Sequence, residues 1–412
     1  MARRFTGSDA LTALTHRLAH QLSVTRETPS NVAFSPLSIY SALSLVAAAA
    51  PWTSSSPSSH ALADRSPSGG PRVAFASGVW HDAGRALEPA YREAVLASYL
   101  AEIRAVDFRN KIDWLLSIGA GGRVEGRDQQ VGRGGHGKLI DSILPAESVD
   151  EDTAVVLASA IYFKGKWETP FRKKRTKVER FFLLDGTAVD VPMMRTGRSQ
   201  YVDEHDGFKV LRLPYRSQDP GASKKRRRGT SSGDDPAPPL PRYSMCVFLP
   251  DARDGLWDLV GKIASSPSFL RDHLPEYEVD VDEFRLPKFK VSFYGKLSGV
   301  LQDMGLVAAF KADKADLTGM APDVEDASGE LINRLVLKDV FHRAVVEVNE
   351  EGTEAAAVTV CEEEDESACQ PVDFIADHPF AFFVIEEVSG AVVFAGHVLD
   401  PTKPQDTLHD VD

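Results

Sequence analysis

Only three cysteines occur in 412 residues, Cys246, Cys361 and Cys369. That is too few for a disulfide framework, so the thiols are expected to be free, as in a protein made in the cytosol. No apolar run reaches the roughly 18 residues that a membrane helix needs, which excludes membrane helices. The first residues, MARRFTGSDA, lack the apolar stretch of a secretory signal. A cytoplasmic location is therefore expected, with export by another route left open. Positive charge is in deficit. There are 47 Lys and Arg against 60 Asp and Glu, a net charge of −13, so nucleic acid is not expected as a general partner. The signatures of chemistry are missing too. No HExxH motif, no Cys/His pairing at metal spacing and no Gly-x-Ser-x-Gly elbow occurs. Neither an enzyme nor a protein with a metal or cofactor is indicated.

What is present reads as an irregular mixture of helices and strands. Residues 8–24 predict a helix with Ser8 as N-cap and Leu11, Leu14, Leu18 and Leu22 on one face. Ser35-Pro36 opens a second, strongly apolar helix. RVAFASGVWHD, TAVVLASAIYFKGKW, GFKVLRLPYR and YSMCVFLP read as strands, and GLWDLVGKIA as a helix. The stretch from VDVDEF to LVAAF predicts one strand followed by a helix, and LINRLVLKDVFHRAVVEVNEEG a helix and a strand. FAFFVIEEVSGAVVFAGHV reads as a hairpin turning at Ser389-Gly390. No βα unit repeats, so the class is α+β with more than one sheet.

Three stretches carry no pattern: 51–70, 117–137 and 217–240. The glycines of the second do not form a phosphate loop, because no Gly-Lys-Ser/Thr ending follows. Lys224 to Arg228 in the third fits a nuclear-import signal or a basic patch, against the plainer reading of a solvated loop. The acidic run Glu362–Glu366 cannot converge on one pocket and reads as a solvated charge run, not an acid/base pair. One segment conflicts with itself. EVNEEGTEAAAVTV, residues 347–360, begins as a strand, passes through a helix-favouring alanine run and returns to β-branched residues.

That segment and its neighbours carry a resemblance. NVAFSPLSI, ASAIYFKGKWETPF, VPMM, FKVLRLPY, RLPKFKV, LQDMGLVAAF, ADLTGM, HRAVVEVNEEGTEAAAVTV and DFIADHPFAFFVIEEVSGAVVFAGHVLDP stand in the order found in serpins. The spellings EVNEEGTEAA and DFIADHPF are similar to the plant Z-type branch. The likeness spans nearly the whole chain and fails only in the three patternless inserts. It implies a serpin fold: one domain over 1–412, with three β-sheets, about eight or nine helices and an exposed reactive loop at 350–373. It also implies a monomeric protease inhibitor whose partner is a target endopeptidase. That target is serine-type, with cysteine-type as the alternative. The bait loop is cut and then enters the main sheet as an extra strand. A non-inhibitory serpin, cleaved without trapping, is the competing reading.

The resemblance further assigns the hinge to Glu350, Glu351, Gly352, Thr353, Glu354, Ala355, Ala356 and Ala357. It assigns the sheet-opening switch to Ser35, Ser38, Ser159, Trp167 and His342, with Ser159 standing where the family usually has Asn. Ordinary core packing is the alternative for each of the five. The hinge is expected to begin exposed and end buried. If Thr353 points inward, so do Ala355, Ala357, Thr359 and Cys361, all small, and then Glu363 and Asp365. Burying those carboxylates would resist insertion. Counting Glu350 as the first hinge residue, the seventeenth is Glu366. This predicts a reactive bond at Glu366–Ser367, or at Asp365–Glu366 for a one-residue shift. An acidic residue before the bond calls for a target with a basic specificity pocket.

Overall fold

The computed structural model describes residues 7–24, 30–49, 70–99, 101–110, 149–217, 241–325, 331–353, 371–403 and 408–409. The expected inserts fall almost wholly outside these ranges, as do Lys224 to Arg228.

Three large sheets organise the described chain, beside a two-stranded pairing of Val324–Glu325 with Leu331–Asn333. The largest runs Leu408–His409, Phe289–Lys296, Leu337–Val348, Val155–Lys166, Arg72–Asp82, Glu102–Val106, with the short strand Gly352–Thr353 also paired to Val155–Lys166. A six-stranded sheet runs Val32–Phe34, Ala391–Val398, Phe380–Glu386, Tyr243–Pro250, Phe208–Pro214, Tyr201–His205. A four-stranded sheet runs Phe374–Ile375, Phe284–Pro287, Ala188–Met194, Lys177–Phe182. Residues of Tyr243–Pro250, Phe380–Glu386 and Ala391–Val398 are buried throughout. Those strands are covered on both faces, which is why they read as continuous apolar runs and not as alternation.

Six α-helices lie among the described residues, fewer than the eight or nine implied by the resemblance. The first covers Gly7–Val24 and buries Leu18 and Leu22. Ser8 falls within its first turn as described. The second, Pro36–Ala47, starts as expected: the Ser35 side chain accepts the Ser38 N–H and Pro36 opens the first turn.

Two sequence expectations need correction. LINRLVLKDV holds no helix; Leu331–Asn333 and Leu337–Val348 are both strands. Its apolar spacing suits a helix in isolation, but Leu337–Val348 is paired on both sides and Leu331–Asn333 pairs with Val324–Glu325, and tertiary pairing overrides local propensity. The stretch before LSGVLQD holds two strands, Phe284–Pro287 and Phe289–Lys296, which belong to different sheets.

The seam between Val155–Lys166 and Leu337–Val348 is the feature that positions the site. These strands lie side by side and parallel, from Leu337 opposite Val155 to Val345 opposite Tyr162. Beyond Val345 that pairing stops, while both strands continue. A gap therefore opens at the seam's upper end.

Candidate functional site: the seam of the main sheet and its hinge

At the mouth of that gap the chain reverses. The Asn349 and Gly352 backbones exchange hydrogen bonds of 3.0 and 3.3 Å, closing a tight turn over Glu350 and Glu351. Gly352 and Thr353 then run antiparallel to Lys166 and Gly165. Gly352 has φ +143°, and a Cβ there would lie 2.1 Å from the Gly165 carbonyl oxygen. Only glycine fits this turn, both in conformation and in space.

Thr353 is buried and points inward, its hydroxyl 2.9 Å from the Tyr215 hydroxyl. Burial pushes the Tyr215 phenol far up, so it stays neutral and serves as a hydrogen-bonding post. Trp167 stacks on Tyr215 with ring centroids 4.5 Å apart. Its backbone N–H donates to Glu351 O (3.0 Å) and its indole N–H to Asn349 O (2.9 Å).

Glu350 is held twice. Its carbonyl accepts the Phe171 N–H at 2.8 Å. Its carboxylate meets Thr176 Oγ1 at 2.9 Å and Lys288 Nζ at 3.0 Å. Burial raises the carboxyl pKa, but the hydrogen bonds from its own N–H, Lys288 and Thr176 outweigh that and keep it below the ordinary value. Glu351 is buried as well, with Lys173 Nζ 2.6 Å away.

The expectation of an exposed hinge is thus corrected at its start. Glu350, Glu351, Gly352 and Thr353 are all buried. The physical reason is the seam itself: past Tyr162 the strand Val155–Lys166 no longer pairs with Leu337–Val348, and Gly352–Thr353 takes two positions on that edge. Glu354, Ala355, Ala356 and Ala357 of the hinge, and Asp365, Glu366 and Ser367 at the expected bond, lie outside the described residues.

Midway down the seam the strands are joined by side chains. His342 and Ser159 are register partners, and His342 Nδ1 lies 2.9 Å from Ser159 Oγ. The other ring nitrogen, Nε2, accepts the backbone N–H of Ser35 at 3.0 Å. An acceptor nitrogen carries no proton, so the proton sits on Nδ1 and is donated to Ser159. Full burial pushes the His342 pKa down to about 3, leaving a neutral ring. Ser38 is buried one turn away and donates its N–H to Ser35 Oγ. Its own hydroxyl has no hydrogen-bond partner among the described residues. The polar cluster therefore ties the N-terminus of helix Pro36–Ala47 to both strands of the seam.

Four of the five expected switch residues, Ser35, Ser38, Ser159 and His342, come together at the middle of the seam; Trp167 stands apart at its mouth, against the hinge turn. Tyr215, Asn349, Thr176, Lys288 and Lys173 were not anticipated. Lys288 lies within RLPKFK and Tyr215 within FKVLRLPY, both recognisable stretches. Nothing in a strand-ending Lys or Tyr says which distant backbone it will meet.

The arrangement defines a class: a three-sheet protein in which the start of a loop already occupies the open end of the main sheet's central seam. Sequence comparison makes this specific. The profile of the family described as Serpin (serine protease inhibitor) matches residues 9–401, and the chain belongs to the serpin family. Serpin-Z2A of Oryza sativa subsp. japonica is 47% identical over 435 residues, covering 95% of this chain and 97% of that one. Serpin-Z2B of Triticum aestivum is 38% identical, covering 95% of each. Among solved structures, Arabidopsis AtSerpin1 in its native stressed conformation superposes with a TM-score of 0.77 at 34% identity, over 96% of this chain and 98% of that one. The protein is a plant serpin, a member of a protease-inhibitor family and not an enzyme.

Proposed function

We propose that this serpin traps its target as a suicide substrate, cut beside an acidic residue at Glu366–Ser367, with Asp365–Glu366 as the alternative bond. The protease nucleophile attacks the Glu366 carbonyl. The bond to the Ser367 nitrogen breaks, the leaving amine takes a proton, and an acyl link joins Glu366 to the protease. The freed loop then enters the seam and carries the protease away before water completes hydrolysis. An acidic residue before the bond suits a protease with a basic specificity pocket and repels one with an acidic pocket. The target is serine-type or cysteine-type, and no cofactor is needed.

The observation that carries this reading is the buried, antiparallel pairing of Thr353 in the mouth of the seam. It supports insertion because the first step is already made. It also supplies a register. With Gly352 opposite Lys166 and Thr353 opposite Gly165, continued insertion brings Ala357 opposite Ile161, Thr359 opposite Ser159 and Cys361 opposite Leu157. Thr359 would then offer a hydroxyl to Ser159 and His342 as their mutual bond is pulled apart. A buried polar pair that re-forms with the incoming strand opens more readily than interlocked apolar side chains.

Incubation with proteases of basic, acidic and apolar pocket specificity tests the proposal. The expected result is an SDS-stable complex with a Glu- or Asp-specific enzyme, and a new N-terminus at Ser367. Clean cleavage without a complex would instead mark a non-inhibitory serpin.

A further inference from the structure

The segment 167–176 grips the hinge turn at several points. Most are backbone bonds or act on Glu350: the Trp167 and Phe171 N–H groups, Thr176 Oγ1, and Lys288 from elsewhere in the chain. Glu351 is different. Its side chain is 11% exposed, and neither carboxylate oxygen has a hydrogen-bond partner among the described residues. Its ion-pair partner among them is Lys173, whose Nζ lies 2.6 Å from Oε1. Lys173 stands on the short 3-10 turn Lys173–Arg175, with its side chain 65% exposed. The paired carboxylate in turn holds the lysine pKa up. A surface lysine thus neutralises a buried carboxylate one residue before the inserting strand.

We propose that Lys173 is a positioning residue for loop insertion: through Glu351 it holds the hinge turn in the mouth of the seam and sets how fast the cut loop enters. A buried carboxylate without a cation moves out to water. Glu351 has Glu350 on one side and Gly352 on the other. Swinging it outward pulls Gly352 and Thr353 off Lys166 and Gly165. The cut loop must then order its first residues before it can advance, instead of extending a strand already begun. Insertion competes with hydrolysis of the acyl link, so a slower start releases more cleaved, untrapped protein. Cleavage itself depends on the bait residues and is unaffected.

This assignment rests on the inhibitor reading, and its test separates the two. The ratio of cleaved free protein to trapped complex is measured for wild type, Lys173→Ala and Lys173→Arg, together with the rate of loop cleavage and the heat resistance of each loop-cleaved protein. The expected result is an unchanged cleavage rate in Lys173→Ala and a ratio raised roughly tenfold, with Lys173→Arg close to wild type. In a Glu351→Gln background the Lys173→Ala change should be silent, because no charge is left to neutralise. An unmoved ratio, a loss that arginine does not rescue, or an equal loss in both backgrounds overturns the role of Lys173 while leaving the inhibitor reading standing. A cleaved wild type that gains no heat resistance overturns insertion itself, and this assignment with it.

Discussion

At Gly352 a single missing atom decides whether the hinge can enter the sheet. Gly352→Ala would place a methyl group against the Gly165 carbonyl at a left-handed φ, so the turn must leave the gap. The uncut protein should then lose amide protection at Asn349 and Gly352 in hydrogen exchange; retained protection would show that the turn tolerates a Cβ. Thr353 sits one residue further in, sealed against Tyr215. Thr353→Arg should abolish trapping and leave cleavage intact, because insertion cannot proceed with a long cation buried in the seam. Stable complexes formed at the wild-type rate would disprove the inward placement. Tyr215→Phe removes one partner of that hydroxyl pair and should cost only about 1 kcal/mol, read as a modest shift in the unfolding midpoint.

For insertion as proposed, the strand pair Val155–Lys166 and Leu337–Val348 is the element that opens, and the register set by Thr353 gives how far the loop travels. Cys361 arrives opposite Leu157. Glu363 arrives opposite Val155, the first residue of its strand and fully buried in the closed sheet. A carboxylate there meets a desolvation cost of a few kcal/mol unless the opened sheet admits water. Glu363→Ala should therefore raise the trapped fraction without moving the cleavage site; an unchanged fraction would mean that the lower end of the seam is already wet. On the helix Gly7–Val24, His16 is buried with neither ring nitrogen hydrogen-bonded among the described residues. Burial lowers its pKa to about 4. The unfolded chain, with histidine near 6.5, binds the proton that the folded chain refuses. Stability is fully present above pH 6.5 and falls by up to about 1.4 kcal/mol per pH unit down to about 4. His16→Leu should flatten that limb, as denaturation between pH 7 and 4 would reveal.

For the whole molecule, acid sensitivity accumulates from several sites. His342, with a pKa near 3, loses stability over the same range as His16 and continues lower. Glu350, held below its ordinary value, adds its own loss as pH falls below that of a free carboxyl. The seam and hinge should consequently be the acid-labile part of the protein. Cutting the loop should have the opposite effect. The inserted strand replaces one parallel pairing with two antiparallel ones, which pair slightly better per residue, and fills the gap above Tyr162. Cleaved protein should melt at least roughly 10 °C above the intact form, since each kcal/mol moves a domain of this size by only a few degrees. Equal melting points would mean that the sheet stays closed.

Much of this was legible in the residues themselves. The run EVNEEGTEAAAVTV, with small and β-branched residues suited to both water and a sheet, was legible as a strand that breaks at a turn; its described part passes from the strand ending at Val348 through a turn into Gly352–Thr353. Ser35-Pro36 announced its helix through local capping alone, and Ser389-Gly390 announced its hairpin. These readings succeeded because their causes act over a few residues. The tertiary structure decided what distant chain segments settle between them: that Glu350 to Thr353 are already buried, that Tyr215 receives Thr353, that Lys288 and Lys173 answer two different glutamates, and that LINRLVLKDV is strand. Burial and charge pairing depend on neighbours far away in sequence, and a one-residue slip in strand register exchanges which face is buried. Only the assembled sheet fixes that register.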